Sequence, residues 1–187
     1  MTKFSALYRR IGGAIILCLA TKAVASGEVV VTPGVECNAV TPGQATRAEW
    51  REYGIVNTDK RRGLWVSCPL ARLESSLYSQ RGFTSAISIF NLDNGPILNA
   101  PVTCQLKEMV GAQRVGVNKA HGAVESGKQN AMGLCNLEPS SWASSFIYVC
   151  LLPPSTGISA LMTESHQPGE GNSMLALQLA DYDICRD

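Results

Sequence analysis

The sequence predicts an all-β protein, an antiparallel β-sandwich or jelly roll stabilised by disulfides. Roughly seven to nine short segments rich in Val, Ile, Phe and Tyr recur along the chain, separated by Gly- and Pro-containing breakers. No stretch sustains a helical period, so the crossovers that parallel strands require are missing and the strands must pair antiparallel. The cysteine count supplies the third observation, once the N-terminal segment has been read.

Lys3, Arg9 and Arg10 form a basic start, and residues 11–20 (IGGAIILCLA) are an uncharged apolar run of about ten residues, too short to cross a bilayer. Ala23-Val24-Ala25 supplies the small-x-small pattern of a cleavage site. Residues 1–25 therefore read as a signal peptide, cut before Ser26, and residues 26–187 as a single secreted or periplasmic domain. Lipid anchoring through Cys18 would need a small residue before it, and Leu17 stands there; Arg9-Arg10 alone argues weakly for twin-arginine export. No other apolar run is long enough to span a membrane, so the mature chain is expected to have no transmembrane segment.

The chain carries 16 Lys+Arg and 15 Asp+Glu. Losing residues 1–25 removes Lys3, Arg9, Arg10 and Lys22 and no acid, which leaves 12 basic and 15 acidic residues, a net of −3. Nucleic acid is excluded as the expected partner, because phosphate binding needs a concentrated positive face. Arg47, Arg51, Lys60, Arg61 and Arg62 cluster locally, and the pattern reads as a solvated turn, Asn57 to Gly63, partly paired with Glu49, Glu52 and Asp59.

Of the 7 cysteines, Cys18 leaves with the signal; Cys37, Cys68, Cys104, Cys135, Cys150 and Cys185 remain. An even number in an exported chain predicts structural disulfides, and the absence of close C-x-x-C pairs argues against zinc. Strand pattern biases the pairing. In Val102-Thr103-Cys104-Gln105-Leu106-Lys107 apolar and polar residues alternate, so Cys104 faces the core. In Phe146-Ile147-Tyr148-Val149-Cys150-Leu151-Leu152 both faces are apolar, the pattern of a strand covered on both sides. Cys104 to Cys150, Cys37 to Cys68 and Cys135 to Cys185 is the expected set.

In chain order, 30–43 reads as a Pro/Gly-containing lead-in, and Thr46 with Glu49 has capping-box spacing for one helical turn. Strands are expected at 53–57, 64–68, 84–92, 102–107, 114–117, 146–152, 158–163 and 174–184, and 111–139 as largely a long loop. A domain of this length can bury roughly 70% of its unfolded surface, enough for a real core.

At Tyr53-Gly54-Ile55-Val56-Asn57, Val66-Ser67-Cys68-Pro69-Leu70, Val102-Thr103-Cys104 and Tyr148-Val149-Cys150-Leu151-Leu152-Pro153 the chain resembles small exported bacterial β-sandwich proteins, mostly uncharacterised. The resemblance spans about Cys37 to Thr163. It implies a secreted bacterial sandwich, and it implies no activity and no site residue.

Chemistry-bearing patterns are sparse. His121 and His166 sit among loop formers and read as solvated loop histidines, and Gly157-Ile158-Ser159-Ala160-Leu161 lacks the final glycine of a nucleophile elbow. Asp181-Tyr182-Asp183 and Asp93-Asn94-Gly95 read as solvent-facing acids and a turn, so no metal and no cofactor is expected. Trp50, Trp65 and Trp142 are the candidate binding rings, because an exposed aromatic face stacks on the apolar side of a sugar. Trp65 alternates with Val66 and Cys68 and so faces away from them, and Trp142 lies in a Ser-rich loop. The expected function is a non-enzymatic exported binding or structural module directed at a glycan or cell-surface partner. The competing reading is a small secreted hydrolase with its site in the 111–139 loop, where His121, Glu125 and Lys128 lie.

Overall fold

The computed structural model describes residues 29–70, 82–92, 96–141 and 144–166 of the chain. They form β1 (Val29–Pro33), a 3-10 turn η1 (Gly34–Glu36), β2 (Asn38–Ala39), a short helix α1 (Pro42–Ala45), β3 (Ala48–Arg51), β4 (Gly54–Asn57) and β5 (Leu64–Pro69). There follow β6 (Gly82–Asn91), β7 (Asn99–Val110), β8 (Gln113–Glu125), β9 (Gln129–Leu137), β10 (Ser144–Leu152) and β11 (Thr156–His166).

Every pairing is antiparallel, and the strands make two sheets. The first runs β3-β4-β11-β6-β9, with β1 also on β11; the second runs β2-β5-β10-β7-β8. The predicted sandwich is what forms. Along β7, Ala100, Val102, Cys104 and Leu106 are buried while Pro101, Thr103, Gln105 and Lys107 face out, the period-2 signature of a strand with one dry face. Inward residues of both sheets share one core, including Ile55, Ile87, Ile89, Ile158 and Leu161 from the first and Val66, Val102, Leu106 and Leu152 from the second. Tyr148 of β10 is fully buried, and its hydroxyl bonds Ser85 of β6 across the sandwich. Burial holds that phenol well above its ordinary pKa, only partly offset by the Ser85 hydrogen bond.

Cys104 and Cys150 stand directly opposite in the β7–β10 ladder and are bonded, as the strand pattern predicted, and Cys37 is bonded to Cys68, the pairing expected across the loop between them. Cys135 is also disulfide-bonded. Its expected partner Cys185 lies outside the described residues, as do the signal segment, Trp142, the 174–184 strand with Asp181-Tyr182-Asp183, and Asp93-Asn94-Gly95.

Five expectations are corrected. The helical turn is α1, which ends before Thr46, because Pro42 suits a first helical turn where no N–H is needed; Glu49 lies instead in β3, where it binds Arg51. The lead-in at 30–43 contains β1 and β2. The 111–139 segment is no long loop: the strand expected at 114–117 is the start of β8, which continues to Glu125 and is followed by β9, their signal muted because β8 turns little beyond Ala120 and Val124 into the core. His121 and His166 are strand residues, opposite Thr103 and Gly82 respectively. Finally, the two faces of β10 are not equally covered: Ile147, Val149 and Leu151 on its outer face are half-buried, while Tyr148, Cys150 and Leu152 on its inner face are fully buried.

Candidate functional site

The solvent face of the second sheet is assembled by register. Trp65 of β5 stands beside Leu151 of β10, Ser67 beside Val149, and Pro69 beside Ile147. On the other flank of β10, Leu151 stands beside Thr103, Val149 beside Gln105 and Ile147 beside Lys107 of β7. β8 continues the rows with His121 beside Thr103, Lys119 beside Gln105 and Val117 beside Lys107. Neighbouring strands lie about 4.8 Å apart, so these rows form one continuous face. Every residue named on it is half-buried or exposed.

Its chemistry is banded. Trp65, Leu151, Val149 and Ile147 form an apolar stripe, and Thr103 and Gln105 run alongside as hydrogen-bonding groups. Trp65 sits on a fixed support: its backbone N–H donates to Gln44 Oε1 at 3.0 Å, and its carbonyl accepts from the Val40 N–H at 2.9 Å. The strand end is thereby held by Gln44 of α1 and by Val40, the residue after β2. The Thr103 hydroxyl and His121 Nδ1 are hydrogen-bonded at 3.3 Å on the same face.

Trp50 belongs elsewhere. It lies in β3 at the edge of the other sheet, 44% exposed, and its indole N–H donates to the Cys37 carbonyl at 2.9 Å. That bond spends the polar end of the ring on the fold. Beside it, Arg51 donates to both carboxylate oxygens of Glu49 and to the Tyr53 hydroxyl, and the Arg51 hydrogen bond holds the Glu49 carboxyl below its ordinary pKa. The remaining basic cluster is the solvated turn that was expected. Arg47 pairs with Asp59 at 3.5 Å, and the Asp59 carboxylate accepts the backbone N–H groups of Arg61 and Arg62.

Solved structures that resemble this sandwich include a xylan-binding module, CBM15, at 10% identity and a TM-score of 0.49, covering 77% of this chain and 100% of that one. The C-terminal family 22 carbohydrate-binding module of Clostridium thermocellum Xyn10B is similar at 12% identity and a TM-score of 0.41, over 79% of this chain and 99% of that one. The Podospora anserina GH26-CBM35 β-(1,4)-mannanase matches at 8% identity and a TM-score of 0.40, over 84% of this chain but 34% of its own. Likeness of this degree transfers neither function nor site residues. No protein-family profile matches the chain, and no curated protein does.

The hydrolase reading required a loop that gathers His121, Glu125 and Lys128. Instead, His121 and Glu125 are on one strand, four positions and so about 13 Å apart, and Lys128 lies in the turn after it. The constellation is not assembled. Among the described residues no group of three or more His, Cys, Asp or Glu could hold a metal, and no helix is long and apolar enough to cross a membrane.

Glu108 escaped the sequence reading. It occupies the next inward position of β7 after Ala100, Val102, Cys104 and Leu106, and there it accepts from the Ser140 N–H and hydroxyl, both at 2.6 Å, and from the Ser144 hydroxyl. Burial opposes its ionisation, but these donors outweigh that effect and hold the carboxyl below its ordinary pKa. The segment leading into β10 is thus clamped to the end of β7. An acid interrupting an apolar alternation was the signal that could have found it.

Proposed function

We propose that this chain is an exported, non-enzymatic module that binds a polysaccharide or cell-surface glycan on the solvent face of the second sheet. One observation carries the reading: β10 turns Ile147, Val149 and Leu151 outward, half-buried, in an apolar stripe that ends on Trp65, with Thr103 and Gln105 alongside. A sugar ring has an apolar C–H face and a rim of hydroxyls, and this banding complements both. Exposed apolar surface of this kind is retained at a cost in solubility and marks interaction sites. The disulfides support export, since they persist in oxidising compartments, and the N-terminal pattern provides the route. The resemblance to small exported bacterial sandwiches is consistent with the same setting.

The test is binding of the mature protein to a polysaccharide panel by affinity electrophoresis and calorimetry. Trp65→Ala should weaken the best ligand by about tenfold or more, as expected when an aromatic anchor is removed, while leaving the unfolding transition cooperative. Binding to no polysaccharide, or full affinity in Trp65→Ala, would overturn the proposal.

A further inference from the structure

The same face has a sign. Resting on the glycan-binding reading, we infer that its ligand is an acidic polysaccharide carrying carboxylates on the sugar ring. Lys119 stands at the rung of Gln105, Lys107 one same-face step further, and Arg114 at the rung of Met109, a step further again. Diagonal neighbours on adjacent strands are about 7–8 Å apart, so three cations form a sparse zigzag beside the apolar stripe. None of the three has an ion-pair partner among the described residues. The acid that register assigns to this face within the five strands is Glu125, opposite Asn99 at the far end of the β7–β8 ribbon. Six positions separate it from Lys119, about 20 Å along the strand.

This local excess of positive charge stands in a chain whose mature part carries a net of −3, from 12 basic and 15 acidic residues. Electrostatic complementarity selects partners and raises their rate of encounter. The spacing narrows the ligand class. Duplex DNA presents one charge per about 1.7 Å, far denser than this row can match, whereas a polymer with one charge on each ring or alternate rings is comparable. A carboxylate fixed directly to a ring stays at the rim of that ring. With the ring seated on Ile147, the rim lies toward Lys107, its cross-strand neighbour. The Lys107 stem adds apolar surface while its ammonium stays in water.

The experiment compares polygalacturonate, neutral galactan, sulfated galactan and duplex DNA against the mature protein at about 50 and 300 mM salt, because screening weakens exposed charge contacts over that range. Polygalacturonate should bind at least about tenfold tighter than galactan at low salt, with the ratio shrinking at high salt. Lys119→Gln combined with Arg114→Gln should lower the ratio of acidic to neutral affinity several-fold, and both side chains are exposed, so the fold should persist. Trp65→Ala should weaken acidic and neutral ligands alike. Equal binding of galactan would overturn this inference while leaving the glycan reading intact; binding of no glycan would overturn that reading itself. Equal affinity for sulfated galactan or DNA would mean general polyanion adhesion and would also overturn the inference.

Discussion

β6 and β10 face one another across the core, and their outward sides have opposite fates. β10 turns Ile147, Val149 and Leu151 outward, and all three remain half-exposed. β6 turns Thr84, Ala86 and Ser88 outward, and all three are buried. Hydropathy alone would assign the two environments the other way round. Ala86 packs with Ala131, Cys135 and Met162 in a small cluster separate from the main core, and Ser88 is bonded to Gln129 and Ser159. Small and hydroxyl-bearing side chains are buried here against their neighbours on β9 and β11, so a buried face can look polar in sequence. A strand that looks doubly apolar can instead be one whose outer face is kept for a partner.

The largest effect that would test this contrast is on the crosslink of the sheet with the open face. Replacing Cys104 and Cys150 with Ser opens a link of sequence separation 46, and chain entropy puts the loss at about 4 kcal/mol. Urea denaturation should show it as a lower midpoint. An unchanged midpoint would mean that the second sheet does not depend on its staple.

The next comparison is between the two outer faces directly. Ala86→Glu places an unpaired charge at a fully buried position, with an expected cost of about 3 kcal/mol or more. Val149→Glu places the same charge on the open face and should cost no more than about 1 kcal/mol. Equal losses in thermal unfolding would erase the distinction between the faces.

A smaller effect concerns the clamp at the end of the open sheet. Hydrogen bonds to a charged group contribute about 1.5–3 kcal/mol, so Glu108→Gln should lose roughly that near neutral pH. The folded protein holds this carboxyl below its ordinary pKa. The stabilisation is therefore complete above the ordinary carboxylate value and is lost as pH falls through the depressed one. The gap between the natural protein and Glu108→Gln should narrow as pH falls below the ordinary carboxylate value of about 4.3 and close once the depressed one is passed. A gap independent of pH would mean that the carboxylate charge is not what holds Ser140 and Ser144.

Much of this protein was legible in the chain itself wherever a side chain's nature depends only on its strand. Alternation in Leu64-Trp65-Val66-Ser67-Cys68 and in residues 102–107 identified β5 and β7, turned Trp65 outward and Cys104 inward, and so led to the Cys104–Cys150 pair, after which Cys37 was left to Cys68 across a loop. β3, β9 and the part of β8 beyond 114–117 were not legible, because edge strands need little apolar sequence and their Gly, Ala, Asn and Lys residues carry a weak period. Tertiary structure decided the rest, because a strand's pattern records what its two faces are made of and not which neighbours cover them. Register across three ladders is what lined Trp65 up with Leu151, Val149 and Ile147 and brought Lys119, Lys107 and Arg114 into one row. Likewise Glu108 became an anchor only when β10 returned beside β7 and carried Ser144 to it from 36 positions away.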